Sequence, residues 1–232
     1  MQAIILAGGL GTRLREVVRD VPKPMAPVNG KPFLYYIFQW LQKYKVTKVV
    51  LSTGYKSETI SGYFGISWNN IQIEYVNEEH PLGTGGAIVF ALPKTTEDNI
   101  LIINGDTYFP VNLNKLYATH IRNNNMLTIA LKRMKSFDRY GTVECRENSI
   151  IRFNEKKYCD DGLINGGIYL INRDMLDSKK LPEIFSFEKE ILEKEAGSSG
   201  LKGVIFRNSF IDIGIPEDYN RAKLILSNVE KF

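Results

Sequence analysis

The sequence contains few of the residues that cross-link small proteins or bind transition metals. Its 232 residues include two cysteines, Cys145 and Cys159, and two histidines, His80 and His120. Two cysteines outside any CxxC pair exclude a disulfide framework, and two histidines argue against a histidine-rich metal site. Any metal is therefore expected to bind carboxylate oxygens, which are ligands that suit magnesium.

Long apolar runs and a strong charge of one sign are also absent. No stretch approaches the roughly 18 apolar residues of a membrane-spanning helix, and no charged-then-apolar signal segment opens the chain. The net charge is a modest +4, and the short basic clusters are not interleaved with aromatic residues. These absences argue against membrane and nucleic-acid partners, and they predict a cytoplasmic enzyme.

Strand-like and helical patterns alternate through the first half of the chain. Strands are predicted at Ala3–Leu6, Lys48–Ser52, Ile71–Val76, Asn99–Ile103 and Met126–Leu131. Helices are predicted between them at Pro32–Lys45, Ser57–Phe64, Gly85–Leu92 and Asn112–Asn123. This alternation predicts an α/β fold with a mixed, mostly parallel central sheet and helices on both faces. Ligands are then expected at the carboxyl ends of the strands.

From about Tyr140 the pattern changes to short strands and turns. Strands are predicted at Thr142–Cys145, Ser149–Phe153, Leu163–Ile171 and Val204–Arg207, and helices at Ser186–Lys194 and Pro216–Val229. No Gly/Ser-rich linker precedes the turn at Gly197–Gly200. We therefore predict a single domain over residues 1–232, with lobes at 1–135 and 136–232.

A glycine-rich stretch, AGGLGTRL at Ala7–Leu14, follows the first predicted strand. A P-loop would need a Gly-Lys pair at its end, and a dinucleotide fingerprint would need a glycine where Leu14 stands. Neither motif fits. The remaining reading is a loop whose glycines let backbone N–H groups approach an anion, with a hydroxyl from Thr12 and a bidentate guanidinium from Arg13.

A lysine held between two prolines follows this stretch. The sequence Pro22-Lys23-Pro24 restricts the backbone on both sides of the lysine, so its ammonium is presented from a stiff segment. Beside a glycine and arginine loop, we interpret Lys23 as a second phosphate-binding cation.

GGLGTRL followed by Pro-Lys-Pro resembles the opening of the sugar-1-phosphate nucleotidylyltransferases, and further motifs extend the resemblance over nearly the whole chain. They are PLGTGGA at 81–87, NGD at 104–106, FNEK at 153–156, NGGIY at 165–169 and FIDIG at 210–214. The resemblance implies a Rossmann-like nucleotide-diphospho-sugar transferase fold. Within the family the chain is most similar to the short enzymes that activate a heptose 1-phosphate with GTP. Mannose-1-phosphate guanylyltransferases and short uridylyl- and thymidylyltransferases are close relatives.

The resemblance implies a set of site residues and one cofactor. Arg13 and Lys23 would be catalytic cations on the triphosphate, and Asp106 and Asp212 would bind Mg²⁺. The implied nucleotide-binding residues are Leu6, Ala7, Gly8, Gly9, Gly11, Thr12, Arg13, Lys23, Glu78, Gly83, Thr84, Asn104, Gly105 and Asp106. The implied sugar-phosphate-binding residues are Tyr140, Gly141, Glu155, Lys156, Asn165 and Gly166. Lys157 departs from the common Glu-Lys-Pro pattern and is a candidate to share the role of Lys156.

The nucleotide base is predicted from one residue. The resemblance places Glu78 where the base edge is read, and a carboxylate can accept both N1–H and N2–H₂ of guanine. Uracil or thymine would favour an amide, because that edge both donates and accepts. Glu78 therefore favours GTP over UTP or dTTP, and the alternative is that it is a solvated loop charge.

Three other questions stay open at this point. A glycosyltransferase of related fold would normally carry an Asp-x-Asp motif, whereas this chain has Asp106-Thr107-Tyr108. A non-catalytic nucleotide sensor would be expected to lack a phosphate cation or a metal carboxylate. In this sequence every candidate phosphate cation and both candidate metal carboxylates are present. Phe38, Trp40 and Phe185 are candidates either for the core or for the surface of a homodimer.

Overall fold

The computed structural model describes residues 1–9, 11, 14, 17–18 and 20–227. Its strands are β1 (Gln2–Leu6), β2 (Pro27–Val28), β3 (Lys31–Pro32), β4 (Lys48–Thr53), β5 (Ser67–Trp68), β6 (Ile71–Asn77), β7 (Asn99–Asn104), β8 (Thr107–Tyr108), β9 (Leu127–Phe137), β10 (Gly141–Arg146), β11 (Ser149–Lys156), β12 (Cys159–Asn172), β13 (Leu201–Phe206) and β14 (Ile211–Asp212).

The helices connect these strands. They are α1 (Phe33–Gln42), α2 (Ser57–Phe64), α3 (Gly83–Ala91), α4 (Leu113–Arg122), α5 (Asp174–Asp177), α6 (Glu193–Glu195) and α7 (Pro216–Leu226). Short 3₁₀ turns lie at Lys23–Met25 and Leu92–Lys94, and a π-helical turn at Glu188–Leu192 leads directly into α6.

One ten-stranded sheet runs through both predicted lobes, in the order β10-β11-β13-β9-β12-β7-β1-β4-β6-β5. The sheet is mixed, as predicted from the sequence, but the prediction that it is mostly parallel holds for only one half of it. Strands β7, β1, β4 and β6 are parallel neighbours. Among the described strands, β9–β13 is the other parallel pair, and the remaining five neighbouring pairs are antiparallel. The reason is the 14-residue strand β12, which inserts antiparallel between β7 and β9.

Alternating side chains of the central strands pack on opposite faces of the sheet. In β1, Ala3 and Ile5 belong to one apolar core while Ile4 belongs to the other, and β4 divides in the same way. The first core contains apolar residues of α1, α2, α4 and α7, and the second contains those of α3, α5 and the π turn. Continuous apolar runs such as AIIL are typical of strands buried on both faces.

The parallel strands end at one edge of the sheet. Leu6 at the end of β1 pairs with both Ser52 of β4 and Asn104 of β7, and Thr53 pairs with Asn77 at the end of β6. The glycine stretch, Asp106 and Glu78 all follow these strand ends. The topology therefore brings together segments that are nearly 100 residues apart.

Several helix boundaries differ from the predicted ones. Helix α3 begins at Gly83, two residues before the predicted start, and Gly83 adopts φ +72° at a point where a Cβ would lie 2.5 Å from the Phe185 carbonyl oxygen. The helix predicted over 186–194 is instead the π turn and the short α6. Helix α7 is described to Leu226, and Val229 lies outside the described residues.

The apolar residues left open in the sequence belong to the core. Phe38, Trp40 and Phe185 are all buried within the single chain. Phe38 stacks on Phe64 with ring centroids 4.7 Å apart, and the Trp40 indole donates to the Val111 carbonyl at 3.0 Å. These three side chains therefore offer no surface for a second copy.

Across the described residues, no helix is both long and apolar enough to cross a membrane.

His120 gives the fold a testable pH dependence. Its ring is buried in α4, with Nδ1 2.9 Å from Thr128 Oγ1 and Nε2 2.9 Å from Asn99 Oδ1. Burial lowers the pKa of His120 to about 4. The unfolded chain takes up the proton near pH 6.5 and the folded chain does not, so stability falls as the pH falls from 6.5 towards 4. Between pH 7 and 4.5 this group lowers the unfolding free energy by about 2 kcal/mol.

Urea unfolding of His120→Gln at both pH values should therefore show a smaller loss on acidification than the parent protein. His80, the other histidine, is exposed, and His80→Gln is the matched control. Equal acid sensitivity of the parent and His120→Gln would contradict the assignment.

Candidate active site

A cavity of about 470 Å³ opens at the carboxyl edge of β1, β6 and β7. Its wall contains glycines, one lysine, two acidic side chains and the start of α3. The lining residues are Leu6, Gly8, Gly9, Gly11, Lys23, Pro24, Glu78, Pro81, Gly83, Thr84, Ala87, Asn104 and Asp106. Most of the predicted nucleotide-binding residues thus lie in the wall of one cavity.

The glycines of the first loop leave room where side chains would intrude. A Cβ at Gly8 would lie 2.5 Å from Glu78 Oε1, while a Cβ at Gly9 would meet nothing within 4 Å. Gly11 adopts φ +58°, and a Cβ there would lie 2.9 Å from Lys23 Cβ. The loop therefore brings bare backbone to the cavity. Thr12 and Arg13 lie outside the described residues, so their roles stay predictions.

Two residues of the predicted set lie behind the cavity wall. The backbone N–H of Ala7 donates to the Ser52 carbonyl at 2.7 Å, and that of Gly105 donates to the Leu6 carbonyl at 2.9 Å. A Cβ at Gly105 would lie 2.6 Å from the Leu6 carbonyl oxygen. Ala7 is thus bonded to β4 and Gly105 to β1, and neither residue lines the cavity.

Lys23 reaches two carboxylates. Its Nζ donates to Asp106 Oδ2 at 2.5 Å and lies 3.6 Å from Asp212 Oδ1. The Lys23 side chain is 12% exposed, and those of Asp106 and Asp212 are 35% and 23% exposed. The 3₁₀ turn that begins at Lys23 follows Pro22, whose extended backbone orients the turn.

A two-stranded antiparallel sheet brings the aspartates together. Thr107 of β8 pairs with Asp212 of β14, and the Ile213 N–H donates to the Asp106 carbonyl at 3.0 Å. Burial and the negative charge of Asp106 raise the pKa of Asp212, while Lys23 and Arg139 act in the opposite direction. Two residues 106 positions apart thereby face one another at the base of the cleft.

This pair fits a divalent cation. Asp212 Oδ1 is buried and has no hydrogen-bond partner within the described residues. The Lys23 ammonium already stands between the two carboxylates as a cation. The described residues contain no group of three or more His, Cys, Asp or Glu side chains that could hold a metal. Magnesium commonly binds through only one or two carboxylates plus substrate phosphates, so the donor set suits it.

Glu78 is fixed by protein donors at the rim of the same cavity. Ser52 Oγ donates to Glu78 Oε1 at 2.9 Å, and the Leu82 N–H donates to Oε2 at 3.2 Å. Each carboxylate oxygen has a further lone pair. Glu78 is therefore an oriented acceptor and not a mobile loop charge.

A second cavity, of about 290 Å³, adjoins the first at Asn104. We call it the sugar cavity. Its lining residues are Asn104, Thr107, Tyr140, Gly141, Lys156, Asn165, Gly166, Gly167, Tyr169, Glu188, Phe210 and Asp212. Five of the six predicted sugar-phosphate residues lie in this wall, together with one of the two predicted metal ligands.

Glu155 is the sixth predicted sugar-phosphate residue, and it lies elsewhere. It lines a neighbouring cavity of about 370 Å³, which we call the outer cavity. Lys156 lines both cavities, whereas Lys157 lies just beyond the end of β11 and is exposed. Lys156 is thus placed at the junction, and Lys157 is absent from the linings of both.

Sequence reasoning missed Glu188 and Tyr169, which complete the wall of the sugar cavity. Asn165 Nδ2 donates to the Tyr169 hydroxyl at 2.8 Å, and Thr84 Oγ1 donates to Glu188 Oε2 at 2.7 Å. Thr84 lines the nucleotide cavity and Glu188 the sugar cavity, so this second bond joins the two walls. Glu188 lies in a Glu-rich segment that reads as a solvated helix, so its sequence carries no signal for this role.

Comparison with known proteins identifies the class. The nucleotidyl transferase family model matches residues 2–228. The D-glycero-alpha-D-manno-heptose 1-phosphate guanylyltransferase of Aneurinibacillus thermoaerophilus is 53% identical over 223 residues, covering 96% of this chain and 97% of that one. The Campylobacter jejuni protein of the same name is 48% identical over 220 residues, covering 94% and 97%.

A solved structure agrees in fold. The crystal structure of HddC from Yersinia pseudotuberculosis superposes with a TM-score of 0.87 at 34% identity, covering 97% of this chain and 99% of that one. The same protein has also been solved in complex with GMP-PN. The chain belongs to the nucleotidyl transferase family, and the resemblance seen in the sequence is confirmed.

Replacing Lys23 tests whether its ammonium occupies the cation site. Lys23→Met keeps the length of the side chain but removes the charge, which leaves two carboxylates facing each other. We expect nucleotide-free protein to bind Mn²⁺ about tenfold more tightly after this change, since a competing cation about 4 Å away is lost.

Titration of Mn²⁺ followed by electron paramagnetic resonance measures the affinity directly. Lys43→Met removes an equal charge from an exposed position and is the control. If the affinity is the same in Lys23→Met and the parent, the two carboxylates do not form the cation site.

Proposed function

We propose that this protein is a guanylyltransferase that joins GTP and a heptose 1-phosphate to form GDP-heptose and pyrophosphate. The observation that carries the proposal is the Lys23–Asp106–Asp212 cluster at the seam between two cavities. One cavity is lined by the glycine loop, and the other by Lys156 and polar side chains. The two guanylyltransferase relatives, which match over nearly their full lengths, support the same substrates.

The reaction is a displacement at the α-phosphorus of GTP. A phosphate oxygen of the sugar 1-phosphate attacks that phosphorus, a new P–O bond forms, and the bond to the β-phosphate bridging oxygen breaks. The electron pair of that bond leaves with pyrophosphate. Such a transfer needs positioned reactants and neutralised charge more than a protein acid or base.

The residues of this chain supply those two requirements. Lys23 provides a cation from a restrained turn at the phosphate end of the nucleotide cavity, and Lys156 provides one at the sugar-phosphate side. Asp106 and Asp212 would hold Mg²⁺, which supplies neutralisation of the phosphate oxygens when bound. Arg13 is proposed as a further cation on the triphosphate. Tyr140 stays a neutral hydroxyl in the wall, because burial raises its pKa to about 12.

Glu78 is proposed to select guanine. Its carboxylate is held at the rim of the nucleotide cavity by Ser52 and Leu82. The remaining lone pairs can accept the adjacent N1–H and N2–H₂ donors of guanine. We also propose that the enzyme works in the cytoplasm.

A matrix assay tests the reaction and both substrates. Purified protein with Mg²⁺ is offered GTP, ATP, CTP or UTP together with D-glycero-α-D-manno-heptose 1-phosphate or a hexose 1-phosphate, and pyrophosphate release is measured. We expect the fastest release with GTP and the heptose. No release from any pair would contradict the transferase, and preference for a hexose would contradict the sugar assignment alone.

Glu78→Gln tests the base assignment. Loss of a charged acceptor should lower kcat/KM for GTP by about tenfold or more, while the weak use of UTP does not fall. Glu79→Gln removes the same charge from the adjacent exposed residue and is the control. Unchanged use of GTP by Glu78→Gln would show that another residue reads the base.

A further inference from the structure

The sugar cavity continues into the outer cavity. The two share Gly141, Lys156, Asn165 and Glu188 in their walls. Of these two cavities, Asn104, Thr107 and Asp212 line the sugar cavity and not the outer one. The outer cavity therefore opens from the sugar cavity on the side away from Asn104 and Asp212.

Glu188 lies where the two cavities meet, and one of its carboxylate oxygens is held in place. Thr84 Oγ1 and Ser186 Oγ both donate to Oε2, at 2.7 and 2.8 Å. Oε1 accepts neither bond. Within the described part of the chain no ion pair is formed by this carboxylate, so its charge is held by hydroxyl groups beside an open cavity.

The backbone around Glu188 is equally well anchored. The Phe187 N–H donates to Thr84 Oγ1 at 2.9 Å, and the buried Phe187 ring packs edge-on against Tyr169 with centroids 5.2 Å apart. The Lys189 N–H donates to Ser186 Oγ at 3.3 Å. These contacts fix the carboxylate before any sugar arrives, which is the arrangement that gives selective recognition.

A carboxylate at this point can only accept hydrogen bonds, and the groups that a sugar offers are hydroxyls. A heptose carries two carbons outside its ring, C6 and C7, whereas a hexose carries one. If the phosphate lies at the seam and the ring in the sugar cavity, exocyclic carbons that point away from the seam would enter the outer cavity.

We propose that Glu188 is a specificity-determining residue that accepts a hydrogen bond from the C7 hydroxyl of the heptose, whose C6–C7 segment enters the outer cavity. This inference rests on the proposed function, since it concerns how the same site distinguishes a heptose from a hexose. In this arrangement the hydrogen bond from Thr84 orients the Glu188 carboxylate as an acceptor.

The test compares Glu188→Gln and Glu188→Ala with the parent protein at saturating GTP. We measure KM for D-glycero-α-D-manno-heptose 1-phosphate, and the inhibition constant of mannose 1-phosphate as a competitor, which is obtained whether or not mannose is turned over. The KM for the heptose 1-phosphate should rise about tenfold in both variants. The inhibition constant of mannose 1-phosphate and the KM for GTP should change less than about twofold, because mannose and GTP have no C7 hydroxyl to contact Glu188.

Glu190→Gln is the matched control, since Glu190 lies in the same π turn and pairs with Lys194 on the surface. Ser186→Ala, which keeps the carboxylate but removes one of its donors, should show a smaller loss in the same direction. An equal rise in the heptose KM and the mannose inhibition constant, or no rise in the heptose KM, would overturn the assignment of Glu188. Failure of the parent protein to use the heptose at all would instead overturn the proposed function.

Discussion

The contact between the Lys23 ammonium and the carboxylates of Asp106 and Asp212 organises the site. Two carboxylates at the base of a cleft repel each other, and removing them from water is unfavourable unless a cation is present. Lys23 provides that cation from a turn that begins after Pro22, and the antiparallel pair β8–β14 brings Asp212 of β14 beside Asp106, which directly precedes β8. The three charges join residues from the beginning, the middle and the end of the chain.

The two cavities proposed to hold the substrates of the nucleotidyl transfer are arranged around this contact. The nucleotide cavity lies on one side of it and the sugar cavity on the other, and Asn104 lines both. Asn104 Oδ1 is buried and without a hydrogen-bond partner within the described residues, which is consistent with a polar ligand at the seam. The hydrogen bond between Thr84 and Glu188 links the two walls at a second point, so the start of α3 and the π turn are positioned together.

Much of the fold follows from apolar periodicity in the sequence. Helix α2 has the predicted bounds, and β1, β4, β6 and β7 extend only one residue beyond theirs. Continuous apolar runs identify strands that are buried on both faces, and they also locate the strand ends where the site forms. The periodicity does not report strand direction, so the antiparallel insertion of β12 was missed and the sheet was predicted to be mostly parallel.

The sequence predicts a site residue best where its local pattern has few other structural explanations. Lys23 stands out as a lysine between two prolines, whereas Asp106 and Asp212 were assigned through the family resemblance, and the structure brings all three together. The pairing of β8 with β14 was not predictable, because two-residue strands have no periodicity. Glu188 was missed for a different reason: its neighbours Lys189, Glu190 and Glu193 make the segment look like an exposed helix, and the contact with Thr84 is visible only in the structure.

A crystal structure with Mn²⁺ and a non-hydrolysable GTP analogue would test the central claim most directly. Anomalous scattering locates manganese without reference to the protein density. We predict a peak in contact with both Asp106 and Asp212, with the Lys23 ammonium displaced from between them. Manganese bound away from these carboxylates, with Lys23 still bridging them, would contradict the account.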